Sequence, residues 1–138
     1  MQAASVRPLP LAPCVSFILL RDDCVLLEQR RADKPIDPGM VMVPGGHMEP
    51  GETQEDTLIR ELAEELSIVP HDARYVCSLL HPTDELQLLH YYLVTEWSGE
   101  IQALEAESVF WHPVSQLDRL DIAPDHIAIH EARRLYGA

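Results

Sequence analysis

Residues Gly46 to Ile68 read GHMEPGETQEDTLIRELAEELSI, and this stretch decides the reading of the chain. Pro50-Gly51 is a turn signal. Thr53 stands where it can cap a helix starting near Gln54, with acids in the first turn. Leu58, Ile59, Leu62 and Leu66 recur at helical spacing and predict one apolar face. Glu61, Glu64 and Glu65 stand at i, i+3 and i+4 and so share another face. Like charges at that spacing repel and weaken an isolated helix. A hard cation reverses the sign of that effect, and magnesium takes oxygen ligands, commonly one or two carboxylates plus substrate phosphates. The plain alternative, a solvated acidic face, leaves the flanking glycine turn and Arg60 without a purpose.

Outward from this helix, Ser67 to His71 close it and Pro70 prevents its continuation. Before it, Val15 to Leu20 read as a buried strand, Arg21-Asp22-Asp23 as a turn and Cys24 to Arg30 as the hairpin partner. Ala32 to Gly39, with two prolines, is a loop placed to border a site, and Met40 to Val43 a short strand running into Pro44-Gly45-Gly46. After the helix, Arg74 to His81 and Leu86 to Trp97 are strands, the alternation of the second breaking near Leu88-Leu89. Ser108 to His112 is a short strand and Pro113 to Leu117 a turn or short helix. Pro124 begins a final helix whose Ile127, Ala128, Glu131, Ala132 and Leu135 recur at helical spacing. Residues 1–12, rich in proline and small side chains, predict a loose or extended leader. Strands mixed with two helices imply a layered α/β fold.

A length of 138 residues suits one domain with a real core, and a hydrophobic content of 46% excludes a disordered chain. The formal charge is −13 and Lys34 is the single lysine, so tight non-specific binding to nucleic acid is not expected. A negative protein can hold a negative substrate when metal ions mediate the contact. Arg21, Arg30 and Arg31 form a local basic cluster able to meet phosphates; ordinary strand-edge charge is the other reading. Cys14, Cys24 and Cys77 lack metal-like spacing and predict free thiols in a reducing compartment. The apolar run Cys14 to Leu20 is too short to span a membrane and the N-terminus lacks a signal-peptide layout, so a cytoplasmic location is expected. His126 and His130 lie four apart on the last helix without a third ligand nearby and are read as surface histidines.

The opening stretch resembles the Nudix box: Gly, five residues, Glu, seven residues, Arg-Glu, an aliphatic, any residue, Glu-Glu, any residue, Gly, an aliphatic. Gly46, Glu52, Arg60, Glu61, Leu62, Glu64, Glu65 and Ile68 all match, while Ser67 stands where the family has glycine. The resemblance implies an α/β/α sandwich, a mixed sheet between helices, with the box as a catalytic loop-helix-loop. It implies hydrolysis of a nucleoside diphosphate linked to another group, with magnesium or manganese as cofactor. Glu61, Glu64 and Glu65 match the acids that hold metal and activate water. Gly46 matches a glycine whose carbonyl also ligates metal, and Arg60 with Glu52 the pair that orients the catalytic helix. Glycine at 67 would permit positive φ, so serine is expected to adjust the turn rather than abolish activity.

A further carboxylate outside the box often serves these enzymes as base or extra ligand. Glu105 and Glu107 are available, and Glu107, just before the strand with Trp111, is the preferred one. The layout is similar to short MutT-like members, which release pyrophosphate from nucleoside triphosphates, oxidised guanine nucleotides among them. There a proline-acid segment before the last helix contacts the purine, and Pro124-Asp125 corresponds. Asp125 is equally an acid favoured by the helix dipole. Ala123 precedes Pro124, so no aromatic stacking wall is evident, and the loop Asp33 to Met40 is another source of base contacts. The expected partner is a small nucleotide, with no membrane and a homodimer left open. A dinucleotide, a nucleotide sugar or a capped RNA end would use the same acids. A non-catalytic acidic binding module is the remaining alternative, and it would be expected to lose the box acids that this chain keeps.

Overall fold

The computed structural model describes residues 9–137. Strand β1 (Leu11–Arg21) turns through Asp22 and Asp23, at φ 52° and 60°, into β2 (Cys24–Gln29). Two successive positive φ values match the twist of a two-residue hairpin, a conformation that aspartate tolerates better than most residues. β3 (Val41–Met42) and β4 (Gly45–His47) precede helix α1 (Gln54–Leu66). Then come β5 (Val69–Pro82), β6 (Leu86–Ser98), β7 (Ser108–Pro113), a 3-10 turn at Leu117–Arg119 and helix α2 (Ala123–Tyr136).

The strands run in the order β3-β2-β1-β6-β5, with β4 beside β1 and β7 beside β2. β1 and β6 are parallel, from Leu11 opposite Leu86 to Leu19 opposite Val94, and β5 pairs antiparallel to β6. The sheet is therefore mixed, and each face is covered by a helix. Val15, Phe17, Leu19 and Leu26 pack with Leu58, Leu62 and Leu66 of α1. Ile18, Val25, Leu27, Tyr91 and Leu93 pack with Ala128, Ile129 and Ala132 of α2. The period of two along β1 and β2 sends alternate side chains to the two cores. The expected α/β/α sandwich is the observed one.

Several boundaries move. β1 starts four residues before the expected Val15, because Leu11 to Cys14 pair with β6, and Cys14 also with β4. Leu11 and Ala12 of the expected leader are thus strand; residues 1–8 lie outside the described residues. β5 begins at Val69, not Arg74, and Pro70 sits within it. A proline is tolerated there because β5 is an edge strand and its register shifts between Pro70 and Asp72. In α2 the buried side chains are Asp125, Ala128, Ile129 and Ala132, whereas Ile127 is 53% exposed and Leu135 also faces out. The stripe is one phase away from the sequence expectation, and this shift carries Asp125 inward.

Candidate active site

α1 is capped as expected, and more fully. Thr53 Oγ1 accepts from the Asp56 N–H and Asp56 accepts from the Thr53 N–H, both at 3.1 Å. This reciprocal box satisfies two donors that the first turn leaves free. At the other end Ser67 takes the left-handed conformation, φ 62° and ψ 35°, and its N–H turns back to the Ala63 carbonyl at 3.1 Å. The serine therefore keeps the glycine-type turn instead of adjusting it.

β4 lies against β1, with Gly45 opposite Ser16 and Gly46 opposite Val15. A Cβ on Gly45 would stand 2.4 Å from the Val15 carbonyl oxygen. A Cβ on Gly46 would stand 2.2 Å from the Glu61 carboxyl carbon. The second glycine is the space in which the Glu61 carboxylate rests.

Arg60 joins the parts. Its Nε donates to Glu52 Oε2 and its Nη2 to Glu52 Oε1, both at 2.8 Å, a bidentate fork. Nη2 also donates to the His47 carbonyl at 2.9 Å, and Nη1 reaches Glu61 at 2.7 Å and Glu64 at 3.1 Å. Glu52 accepts besides from the Glu49 N–H and the Thr57 hydroxyl. The Arg60 guanidinium and these donors hold the Glu52 carboxyl down to about 2. Arg60 thus fixes α1 to the loop before it and to β4.

The remaining acids converge with less support. Glu61 is buried, and burial raises its carboxyl above the usual range despite Arg60. Glu65 has a buried Oε2 with no hydrogen-bond partner. Burial, then the charges of Glu28, Glu61 and Glu105, push it well above the ordinary carboxylate range. Glu28 of β2 is 6% exposed, and burial raises it to about 7, with Arg30 opposing. The loop carrying Glu105 is pinned under the end of α1: the Leu104 N–H donates to the Glu65 carbonyl at 3.1 Å and the Gln102 N–H to that of Leu66 at 3.0 Å. Gly46, Glu28, Glu61, Glu64, Glu65 and Glu105 all line one cavity of about 410 Å³.

An orphaned carboxylate oxygen among like charges is what a divalent cation would satisfy, so these residues fit one. Among the described residues no three such side chains are already drawn into a closed cage.

The other expected residues divide. Arg30 lines the cavity and its Nε donates to the Ile36 carbonyl at 3.1 Å. Arg31 does not line it; it is exposed and forks onto Asp33 at 3.1 and 2.8 Å. Glu107 lies outside the cavity, which Glu105 lines: the Glu107 N–H extends the β2–β7 ladder to the Gln29 carbonyl at 3.0 Å. Asp125 lies in the interior, away from the cavity lining. It is 1% exposed and accepts from the Val43 N–H at 2.8 Å and from the Tyr91 hydroxyl at 2.5 Å. It braces the segment between β3 and β4 against β6 and faces no open space.

Glu28 was not foreseen. Leu26 packs toward α1, and Glu28, two residues on, shares its face. A carboxylate at that phase of an apolar strand was the available signal. Lys34, Ile36 and Asp37 line the cavity, and Asp37, at φ 49°, is held by the His81 ring at 2.9 Å.

A model of the NUDIX domain family matches residues 10–132. The CTP pyrophosphohydrolase of Escherichia coli (strain K12) is 34% identical over 119 residues, 86% of this chain and 87% of that protein. The NAD-capped RNA hydrolase NudC of Photorhabdus laumondii subsp. laumondii is 35% identical over 127 residues, 91% of this chain; the chain spans 46% of that relative's length. The crystal structure of a MutT NUDIX hydrolase from Burkholderia pseudomallei superposes with a TM-score of 0.79 at 26% identity, covering 88% of this chain and 97% of the other.

Proposed function

The chain belongs to the NUDIX family and is a Nudix-type nucleotide pyrophosphohydrolase, and on that premise we propose that it hydrolyses a nucleoside triphosphate to nucleoside monophosphate and pyrophosphate. The observation that carries this reading is the buried, unpartnered Glu65 oxygen beside Glu61, Glu28 and Glu105 in a cavity of nucleotide size. Glu61, Glu64, Glu65 and the Gly46 carbonyl would hold magnesium or manganese. When bound, such an ion supplies charge against the diphosphate oxygens and lowers the pKa of a water.

The chain's own groups do the rest. Arg60, forked onto Glu52, keeps the α1 acids at a fixed distance from β4. Arg30 and Lys34, on the cavity wall, place positive charge where phosphates enter. Glu105 takes the proton of a water that attacks an inner phosphorus. The new P–O bond forms as the anhydride bond breaks, and pyrophosphate leaves. No helix among the described residues is long and apolar enough to cross a membrane, and Cys14, Cys24 and Cys77 are free thiols, which suits action in the cytoplasm.

The likeness to a CTP pyrophosphohydrolase over most of both chains favours the triphosphate. The likeness to an NAD-capped RNA hydrolase favours a dinucleotide or capped RNA end as second reading. A panel of canonical and oxidised nucleoside triphosphates, dinucleotides, nucleotide sugars and capped RNA, with magnesium, separates them. A triphosphate should be cleaved fastest; faster cleavage of NAD or capped RNA would reverse the order. Metal-independent binding without turnover would point to a non-catalytic module.

A further inference from the structure

We propose that Glu28 is an additional metal-holding carboxylate, facing the α1 acids from strand β2, so that the cation is gripped from two elements instead of one helix. The inference rests on the functional reading above and extends its ligand set to a residue outside the box.

Glu28 and Glu65 line the same cavity from two elements, one on the sheet and one on α1. Glutamate is almost never this buried unless paired. Its ion-pair partner is Arg30, whose Nη1 stands 3.8 Å from Glu28 Oε1, beyond hydrogen-bond length, and Lys34 adds a weaker positive charge. Arg30 spends its Nε on the Ile36 carbonyl. The pairing of Glu28 is therefore partial, and in the same cavity Glu65 Oε2 has no hydrogen-bond partner. Burial, then the charges of Glu28, Glu61 and Glu105, raises Glu65, and Glu28 in turn is raised by burial and by the charges of Asp125 and Glu105. Such an arrangement is unfavourable for an empty site, since like charges are brought out of water together. A divalent cation between β2 and α1 converts each of these repulsions into an attraction. Two rivals compete with this: Glu28 serves only Arg30, or Glu28 and Glu65 share a proton.

The test uses the full chain and manganese as the probe. Free Mn2+ is followed by electron paramagnetic resonance and magnesium-induced thermal shift is recorded, for wild type, Glu28→Gln, Glu28→Asp and Glu65→Gln. Wild type should bind, and Glu65→Gln should lose binding. Glu28→Gln should weaken Mn2+ by roughly tenfold or more, with a reduced magnesium shift, while its metal-free melting temperature is no lower than that of wild type. Glu28→Asp, which keeps the charge on a shorter arm, should recover part of the affinity. Wild-type affinity and wild-type shift in Glu28→Gln, with Glu65→Gln defective, would overturn this inference and leave the functional reading standing. Absence of Mn2+ binding in wild type would overturn both.

Discussion

Asp125→Ala removes the acceptor from two donors at once, and the structure sets the size of the effect. The Val43 N–H at 2.8 Å and the Tyr91 hydroxyl at 2.5 Å both end on this carboxylate, and neither Tyr91 nor Val43 reaches appreciable solvent. A stranded buried donor costs about 1–3 kcal/mol. Against this, the variant sheds a buried carboxyl whose group is raised to about 7 by burial, so part of the gain of the native contacts is already offset at neutral pH. A net loss of about 2–4 kcal/mol is expected, a large share of the roughly 5–15 kcal/mol of a typical domain. Asp125→Asn should lose less than half as much. Its oxygen can accept from Val43 while its amide donates to the Tyr91 oxygen. Urea unfolding of the metal-free protein near pH 6 reads the stability, and kcat/KM for a purine and a pyrimidine triphosphate reads specificity. All substrates should decline together. Wild-type stability in Asp125→Ala with a changed base ranking would refute the bracing role and restore Asp125 as a reader of the base.

Ser67→Gly should stabilise the protein by about 1 kcal/mol, because glycine occupies φ 62° without the Cβ penalty; a shift in urea midpoint checks it, and an unchanged midpoint would mean the turn carries no strain. Gly46→Ala should leave the protein folded but cut kcat by at least roughly tenfold, since a methyl group 2.2 Å from the Glu61 carboxyl carbon displaces that acid; steady-state kinetics with circular dichroism decide it. Metal-free stability should fall as pH rises from about 4.5 to 7. Glu28 and Asp125 have folded-state values raised to about 7, so between the unfolded and folded values the native state holds more protons and its advantage is lost as they leave. Denaturant unfolding across that range, compared with Glu28→Gln and Asp125→Asn, should show shallower pH dependence in each variant.

What was legible in the sequence were the features whose signal is local. The α1 cap and the acid face follow from spacing along one helix, the Arg60–Glu52 pair was implied by the family resemblance, and the structure holds them in one place. The mixed sheet with helices on both faces followed from strand and helix patterns together with the family resemblance. What escaped depended on phase or on long-range packing. Ile127 and Leu135 are apolar yet exposed, so the face of α2 read from them was rotated, and Asp125 was read as a base contact or a helix-dipole acid and not as a buried brace. Glu107 sits on the strand ladder, but Glu105 is the acid that the Leu104–Glu65 backbone contact swings beneath α1. No pattern within residues 101–108 encodes that choice. Glu28 was visible as a charge in an apolar strand, but its meaning required knowing that the face it shares with Leu26 looks toward α1.

The most direct test of the account is hydrolysis of a nucleoside triphosphate in water enriched in heavy oxygen, with magnesium, with a chelator, and with Glu65→Gln. The account predicts nucleoside monophosphate and pyrophosphate as products, no turnover under chelation, and a rate lower by orders of magnitude in Glu65→Gln with its fold intact. Orthophosphate carrying the label, with nucleoside diphosphate as partner, or a rate indifferent to both magnesium and Glu65, would contradict it.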